Sequence, residues 1–429
     1  MNAAPERVAA LDVLRGLAIL LILLMNIPAM GSYLQTAFDQ PFLAGWEPID
    51  RAAWYASRVL LAGTQRGLLE LLFGAGAAIL LERLGDEGVG ALGRRYLLLA
   101  AFGLAHALVL GWPGDILLSY GLAALALPLF RDWPARRLLA LGFGYALLMT
   151  AVGAAQYADR AGVQAAVERV VVAQATERAP SQADLSDAAT WREARAALTL
   201  DQATLAEERA ARMGSVAEHW RHQVAAWRRI NLDGLGIFLN LVEPFFTMLL
   251  GLALLRIGVL TGERRARSYL LAGAVGYGVG LPLRWLEATE VATLTLAPRV
   301  GWISAEPARL LVTAGHLAAV LLLLRTTAGA RLLRPFAAVG RMALSLYLLQ
   351  SALCLWLIFP RWGLGLWGEL SYAGLIGLAL GLVALQLLLA RWWTRRFALG
   401  PAEWVWRSLA ERRRLPLRAG LAGQAARLG

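Results

Sequence analysis

Long apolar runs, separated by short polar segments, dominate the pattern of this chain. A helix that crosses the hydrocarbon core of a bilayer needs about 20 predominantly apolar residues. Runs of this kind predict about ten transmembrane helices. They lie near 12–32, 66–83, 95–112, 115–131, 137–156, 234–256, 268–286, 307–325, 340–359 and 371–391. The predicted fold class is therefore all-α, a polytopic membrane bundle.

One long polar segment, at about 157–233, interrupts the apolar pattern. Its alanine-, glutamate- and arginine-rich sequence predicts two or three amphipathic helices rather than a disordered loop. We expect four parts in the chain. They are an N-terminal membrane half (1–156), a helical loop (157–233), a C-terminal membrane half (234–399), and an interfacial helix with an arginine-rich tail (400–429).

Composition and charge agree with a membrane protein. Hydrophobic residues make up 58% of the chain and the mean hydropathy is +0.54, which is unusual for a soluble globular protein. The formal net charge is +12, and every basic residue other than histidine is an arginine. These arginines flank the apolar runs instead of forming a patch, so the positive-inside rule explains them better than nucleic-acid binding does. We therefore expect a protein that spans a phospholipid bilayer, with both termini in the cytoplasm and the long loop outside.

The first apolar run carries a charged pair at one end and an amide near the other. A helix from Asp12 to Asn26 would rise about 20 Å. Charges at the mouth of such a helix cost several kcal/mol unless a partner, water or a ligand compensates them. Two interpretations remain open: Asp12 pairs with Arg15, three residues away on the same face, or Arg15 holds a ligand.

Ionisable residues inside membrane segments are the default functional hypotheses. His106 and Asp115 lie nine positions apart across a Gly-Trp-Pro-Gly turn, so their two helices are predicted to be antiparallel neighbours. Asp115 would then orient His106 as a general base. The structural alternatives are a helix cap for Asp115 and a satisfied interhelical histidine for His106.

Other polar residues in the apolar runs are predicted to line a cavity. His316, in the eighth span, is a second candidate base. The predicted lining residues are Asp12, Asn26, Glu70, Glu243, Arg284, His316, Tyr347 and Gln350. His219 and His222 lie three apart in the loop, a spacing that could serve a metal, but no third ligand is evident. We predict no metal site.

Several motifs, taken in order, resemble one bacterial family. The YeiB-like inner-membrane proteins, long catalogued as a domain of unknown function, carry similar motifs along nearly the whole chain. Here the motifs are Leu11–Gly16, Leu71–Gly76, His106 with Gly114–Gly121, Gly340–Gln350 and Gly400–Trp404.

This resemblance implies a chemistry. The YeiB-like proteins are grouped with the transmembrane acyltransferase superfamily, which includes the lysosomal heparan-α-glucosaminide N-acetyltransferase and the acyltransferase-3 enzymes. Such enzymes move an acyl group from a cytoplasmic coenzyme A thioester to an acceptor on the far side, using an intramembrane histidine. The resemblance implies that His106 is that histidine and that Arg15 and Arg341 face the donor phosphates. Acyltransferase-3 enzymes have a histidine where this chain has Asn26, an amide that cannot act as a base.

Two functions follow as hypotheses. The first is an acyltransferase that uses acyl-coenzyme A as co-substrate and modifies a hydroxyl or amine of a small molecule, lipid or glycan. Within it, Arg341 would bind an anion at the start of its helix, where the free backbone N–H groups add to the attraction. The alternative is a transporter or exporter of a small or amphipathic solute along the same polar path. A homodimer is the expected assembly, because two-fold dimers are the commonest oligomers.

Overall fold

The fold is built from helices throughout the described residues, which in this computed structural model are 3–33, 45–85, 87–197, 202–234, 236–293 and 295–418. Sixteen α-helices occur in these ranges. They are α1 (Ala3–Gly31), α2 (Pro48–Ala56), α3 (Thr64–Leu84), α4 (Glu87–Ala105), α5 (Leu117–Ala124), α6 (Ala135–Ala175), α7 (Gln182–Ala197), α8 (Gln202–Arg212), α9 (Val216–Asn231), α10 (Gly236–Arg256), α11 (Ala266–Ala292), α12 (Val300–Leu324), α13 (Thr327–Gly340), α14 (Ala343–Ala352), α15 (Tyr372–Thr394) and α16 (Pro401–Ala410). The end of the predicted tail, 419–429, lies outside the described residues.

Six stretches of helix are long and apolar enough to cross a membrane, in the part of the chain that the structure describes. They are Ala10–Gly31, Pro48–Arg83, Gly88–Leu110, Ala135–Ala175, Val300–Leu324 and Tyr372–Thr394. A further pair of helices, Thr327–Gly340 and Ala343–Ile358, is bent by 74° at its junction, the geometry of a broken span or of a re-entrant loop. This architecture is that of a helical membrane bundle, as the apolar pattern predicts.

One predicted span is wrong. The span at 115–131 is not one helix, because α5 has eight residues and a separate 3-10 turn, Leu127–Phe130, contains Pro128, which lacks an N–H. The predicted polar segment from 157 begins inside a helix, because α6 continues without a break to Ala175. Before Gly340 the chain forms α13, an amphipathic helix whose arginines are exposed.

Glycines bring the backbones of neighbouring helices into direct contact. A Cβ on Gly16 of α1 would lie 2.0 Å from the carbonyl oxygen of Phe336 in α13, and one on Gly340 would lie 1.9 Å from that of Asp12. Gly74 and Gly251 join α3 and α10 in the same way, at 1.9 Å and 2.0 Å from carbonyl oxygens of the partner helix. Small residues permit this close approach in membrane bundles. The approach fixes the ends of α1 and α13 side by side.

Two of the helices in the polar segment, α8 and α9, cover one end of the bundle; we call them the cap. A capping box formed by Ser215 and Glu218 starts α9. Trp220 donates a hydrogen bond to the carbonyl oxygen of Leu108 at 2.6 Å, and Asn231 donates to that of Pro113 at 3.4 Å. The cap therefore rests on the turn that joins α4 to α5.

The C-terminal helix α16 docks at the opposite end of the bundle, which we call the arginine face. Trp406 donates to the carbonyl oxygen of Arg95 at 2.8 Å, and its ring lies under the Arg95 guanidinium. In the interfacial helix that the sequence predicts here, Arg407 would meet lipid headgroups; in the structure it lines a cavity of the bundle. Val405 and Leu409 remain exposed, as a membrane-facing side requires.

Candidate functional site

The turn from α4 to α5 brings the predicted histidine and aspartate together. After Ala105 the helix widens into a π-helix, His106–Leu110, and Gly111, at φ 72°, reverses the chain. His106 Nδ1 then lies 2.7 Å from Asp115 Oδ1, and neither side chain is exposed to solvent. The other carboxylate oxygen accepts the backbone N–H of Leu118 at 2.9 Å. Asp115 therefore caps α5 and holds His106 at the same time.

A serine completes the arrangement from another part of the chain. The Oγ atom of Ser351, in α14, lies 2.8 Å from His106 Nε2. Because a carboxylate can only accept, His106 carries its proton on Nδ1, which leaves Nε2 to accept the proton of the serine hydroxyl. Asp115, His106 and Ser351 thus form the acid–base–hydroxyl chain used in nucleophilic catalysis. We call these three residues the triad.

The triad lies where two helices change their winding. His106 begins one π-helix, and a second, Leu353–Ile358, begins two residues after Ser351. Trp356 of the second donates to the carbonyl oxygen of Leu110 in the first at 2.9 Å. Single π-turns inside α-helices occur frequently at functional sites. The local geometry therefore supports a functional role for the triad.

A cavity of about 140 Å³ leads from the arginine face towards the triad; we call it the arginine cavity. Its polar lining is mostly cationic, while its interior is apolar and ends at Ile116 and Tyr347. The ring of Tyr347 lies edge-on to His106, with centroids 4.9 Å apart. The charged residues of the lining are Arg15, Arg95, Arg341, Arg407 and Glu403. Arg15 also pairs with Asp12, at 2.8 Å, as the first interpretation predicts, and its contact with a ligand stays a prediction.

A wider basin on the arginine face adjoins this cavity, and Arg341 lines both. The basin has a volume of about 830 Å³. Its lining is Asp12, Arg331, Arg334, Pro335, Ala337, Ala338, Arg341, Arg391, Thr394 and Arg395. We call it the basic basin. Its lining carries five guanidinium groups against one carboxylate, a balance of charge that attracts anions.

The predicted anion site at the start of α14 is already filled. Glu403 of α16 accepts the backbone N–H of Leu344 at 2.6 Å and that of Ser345 at 3.2 Å, and the Ser345 hydroxyl bonds its second oxygen. Gly400 allows this approach, since a Cβ there would lie 2.2 Å from Glu403 Oε2. Arg341 ends α13 and does not begin a helix, so it can contact a ligand only through its side chain.

Burial shapes the charges around Glu403. Desolvation raises the pKa of Glu403, against the opposing effect of its bonds from Ser345 and Leu344. Desolvation, assisted by the nearby Arg15, lowers the pKa of Arg407. An anion bound between Arg15 and Arg407 would relieve their repulsion.

A second cavity, of about 370 Å³, opens beneath the cap; we call it the cap cavity. Asn26 lines it, so this amide lies on the cap side of the triad. Its other polar lining residues include Arg58, Gln65, Arg66, Asp115, Ser119, Tyr120, Asn231, Asn240 and Glu243. Ile116 lines both this cavity and the arginine cavity, and it directly follows Asp115. The triad therefore lies at the wall between the two cavities.

A buried charge network borders the cap cavity. Glu70 accepts from Arg309 at 3.0 Å and from the Tyr120 hydroxyl at 2.9 Å. Arg309 also pairs with Glu306 at 2.7 Å, and Arg66 pairs with Glu243 at 2.7 Å. The sequence pointed to Glu70 and Glu243 but not to their partners, because Arg309 stands inside a run whose average is apolar.

Four predicted lining residues are not part of the linings of the arginine cavity, the basic basin or the cap cavity: Glu70, which belongs to the charge network, Arg284, His316 and Gln350. Arg284 pairs with Glu287 at 2.6 Å. His316 is held as a structural histidine: Nε2 donates to the carbonyl oxygen of Leu60 at 2.8 Å, and Nδ1 accepts from the Tyr277 hydroxyl at 2.9 Å. Gln350 donates to the carbonyl oxygen of Ile19 at 3.1 Å.

The cap histidines also have protein partners. His219 Nδ1 donates to the carbonyl oxygen of Arg212 at 3.1 Å, and His222 lies 3.8 Å from Glu208. Among the described residues no group of three or more His, Cys, Asp or Glu side chains is arranged to hold a metal ion.

Comparison with known proteins relates this chain to proteins without an assigned activity. A family model described as a protein of unknown function, DUF418, matches residues 254–413. That region contains Arg341, Ser351 and Glu403. It begins after His106 and Asp115, which lie outside it. No solved structure matches the chain.

Two relatives match along almost their whole length. The uncharacterized protein YxaH of Bacillus subtilis (strain 168) is 29% identical over 419 residues, 94% of each chain. The uncharacterized protein YeiB of Escherichia coli (strain K12) is 28% identical over 430 residues, 95% of this chain and 97% of the relative. An uncharacterized 39.9 kDa protein of Bacillus acidopullulyticus is 34% identical over 98 residues, 23% of this chain and 28% of its own.

Proposed function

This chain belongs to the YeiB-like family of membrane proteins, and we propose that it is an acyltransferase working across the membrane. It takes an acyl group from a coenzyme A thioester at the arginine face and gives it to a hydroxyl or amine in the cap cavity. One observation carries this proposal: a buried acid–base–hydroxyl triad lies at the wall between a cationic cavity and a polar one. A chemical group, rather than a whole solute, is what such a triad handles.

The donor side suits the two parts of a coenzyme A thioester. The phosphates would bind in the basic basin, where guanidinium groups can pair with them bidentately. The acyl end would enter the arginine cavity between Arg15 and Arg341, against the apolar side chains of Leu69, Leu72 and Leu99. The small volume of about 140 Å³ favours a short acyl chain.

The acceptor side suits a group that must lose a proton. His106, held in one tautomer by Asp115, would act as the base through Nε2, the atom that contacts the Ser351 hydroxyl. Asn26, Asn231 and Asn240 line the cap cavity and offer amide donors and acceptors to a polar acceptor. On this proposal the arginine face is cytoplasmic, in keeping with the positive-inside rule, and the protein lies in the inner membrane.

The test is a titration of the detergent-purified protein with acetyl-coenzyme A and longer thioesters. We expect a saturable rise in melting temperature, because a ligand that binds the folded state stabilises it. The rise should disappear in Arg15→Ala and remain in Arg178→Ala, which removes an exposed arginine far along the chain.

Release of coenzyme A, followed with a thiol reagent, tests the chemistry. Release should depend on His106 and stop in His106→Ala. If no thioester shifts the melting temperature and none is cleaved, the proposal is refuted. Flux of a solute without chemical change would then favour the transporter.

A further inference from the structure

The two cavities pose a problem for any transfer between them. The arginine cavity and the cap cavity have one lining residue in common, Ile116, and the triad lies beside it. A thioester held on the arginines and an acceptor held under the cap therefore approach the triad from opposite sides. Direct attack of the acceptor on the thioester would require both to share one small space.

The hydroxyl of Ser351 has an unusual environment for a helical serine. Hydroxyls inside helices commonly bond back to the carbonyl four residues earlier, as those of Thr150 and Thr394 do in this chain. The Ser351 hydroxyl instead bonds His106 Nε2 at 2.8 Å, and the residue is 1% exposed. A buried hydroxyl on an oriented histidine is an activated nucleophile.

Ser351 also lies next to the end of the arginine cavity. Tyr347, one helical turn earlier in α14, lines that cavity and lies edge-on to His106. The other side of the triad, Asp115, lines the cap cavity. Ser351 is thus one turn from the donor side, while its histidine is tied to the acceptor side.

From this geometry, and resting on the proposed function, we propose that Ser351 carries the acyl group as a covalent ester between two half-reactions. In the first, the Ser351 oxygen attacks the thioester carbonyl while His106 takes the hydroxyl proton. The carbon–sulfur bond breaks, the proton passes from His106 to the thiolate, and coenzyme A leaves as the thiol. No oxidant or reductant takes part.

The second half-reaction reverses these roles. The acceptor hydroxyl or amine attacks the ester carbonyl from the cap side, and His106 takes its proton. The bond between carbon and the Ser351 oxygen breaks, and the proton returns to that oxygen. Asp115 stabilises the imidazolium in both steps. Donor and acceptor therefore never need to occupy the site together.

The test is to supply acetyl-coenzyme A without an acceptor and to look for the ester. We expect the wild-type protein to release about one equivalent of coenzyme A in a burst, as covalent intermediates do. Mass spectrometry of the peptide that contains Ser351 should show one added acetyl group. Hydroxylamine, a small nucleophile, should remove it and form acetohydroxamate.

Variants separate the relay from a structural role. Ser351→Ala should lose the burst and the adduct but keep the melting-temperature shift with acetyl-coenzyme A. Ser351→Cys should hold the acetyl group as a thioester. Ser268→Ala, which removes an exposed serine at the start of α11, should behave like wild type.

The outcomes distinguish the two proposals. Transfer to hydroxylamine that persists in Ser351→Ala, or an acetyl group found on another residue, overturns the relay and leaves the acyltransferase proposal standing. If the wild type neither binds nor cleaves acetyl-coenzyme A, the acyltransferase proposal fails and the relay fails with it.

Discussion

The cap contains a buried histidine whose protonation should loosen it. His219 is 3% exposed, and its ring lies edge-on to Trp362 with centroids 5.2 Å apart. Desolvation, with a smaller contribution from the charge of Arg212, lowers the pKa of His219 from 6.5 to about 4. Protonation would place a positive charge on a buried ring, next to the charge of Arg212. We therefore predict that acid opens the cap.

The pH dependence of cap stability follows from the number of protons that the closed and the open cap bind. Between pH 6.5 and about pH 4 the closed cap binds fewer protons than the open one, so its stability falls as the pH falls through this window. With these two pKa values, the closed state loses about 2 kcal/mol by about pH 5, a factor of about 30 in the opening equilibrium. Solvent screening makes this an upper value.

Hydrogen–deuterium exchange of α9 measures the opening directly. After correction for the intrinsic exchange rate, protection of Val216–Asn231 should fall by up to about 30-fold between about pH 7.5 and about pH 5. His219→Asn supplies the matched control, because its amide can donate to the carbonyl of Arg212 and does not titrate. If His219→Asn shows the same loss of protection as wild type, burial of this histidine is not what couples the cap to pH.

Three further predictions concern the triad, the α16 helix and the close-packed helices. Asp115→Asn should lower the rate of coenzyme A release by about 10³–10⁴-fold, because an amide reverses the tautomer of His106. The rise in melting temperature with acetyl-coenzyme A should remain. A release rate close to that of the wild type would contradict the assigned proton positions. Glu403→Ala should lower the free energy of unfolding by about 1–3 kcal/mol, because two amides at the start of α14 lose their acceptor. In thermal unfolding, Glu403→Gln should lose less stability than Glu403→Ala. An equal loss of stability in the two variants would contradict the capping role. Gly340→Ala should lower the melting temperature, because its Cβ would lie 1.9 Å from a carbonyl oxygen of α1. Gly278→Ala, with open space around it, should raise the melting temperature slightly. A change of melting temperature in the same direction for both variants would refute the backbone contact.

The spacing of residues along the chain was enough to predict two of the three triad residues. His106 and Asp115 meet because nine residues and a tight turn connect them, and a turn of that kind constrains the geometry by itself. Ser351 is 245 positions from His106, and its position depends on how α14 packs against the π-helix that follows α4. No periodicity in the sequence encodes that packing, so a serine in an apolar run looks the same with or without a partner.

Packing between distant helices, which sequence patterns do not encode, also explains why the position of Arg407 was predicted wrongly. The pattern of α16 is amphipathic, and an apolar stripe fits a lipid surface or a protein surface equally well. Arg407 lines the arginine cavity because Glu403 anchors the helix to the start of α14, a contact 59 positions away in the chain. The fold class was predictable because length and hydropathy alone determine it.

The glycine contacts between helices bear on how fast this protein can work. Halves of a transporter swing against each other on a microsecond to millisecond timescale, which needs interfaces that slide. Here α1 meets α13, and α3 meets α10, with carbonyl oxygens against glycine Cα atoms. If these helices slid along each other, a larger side chain would replace the glycine and clash with the carbonyl oxygen. The two helix pairs are therefore held in fixed register. The proposed transfer of a small group between the two cavities would therefore have to proceed without sliding of these helix pairs.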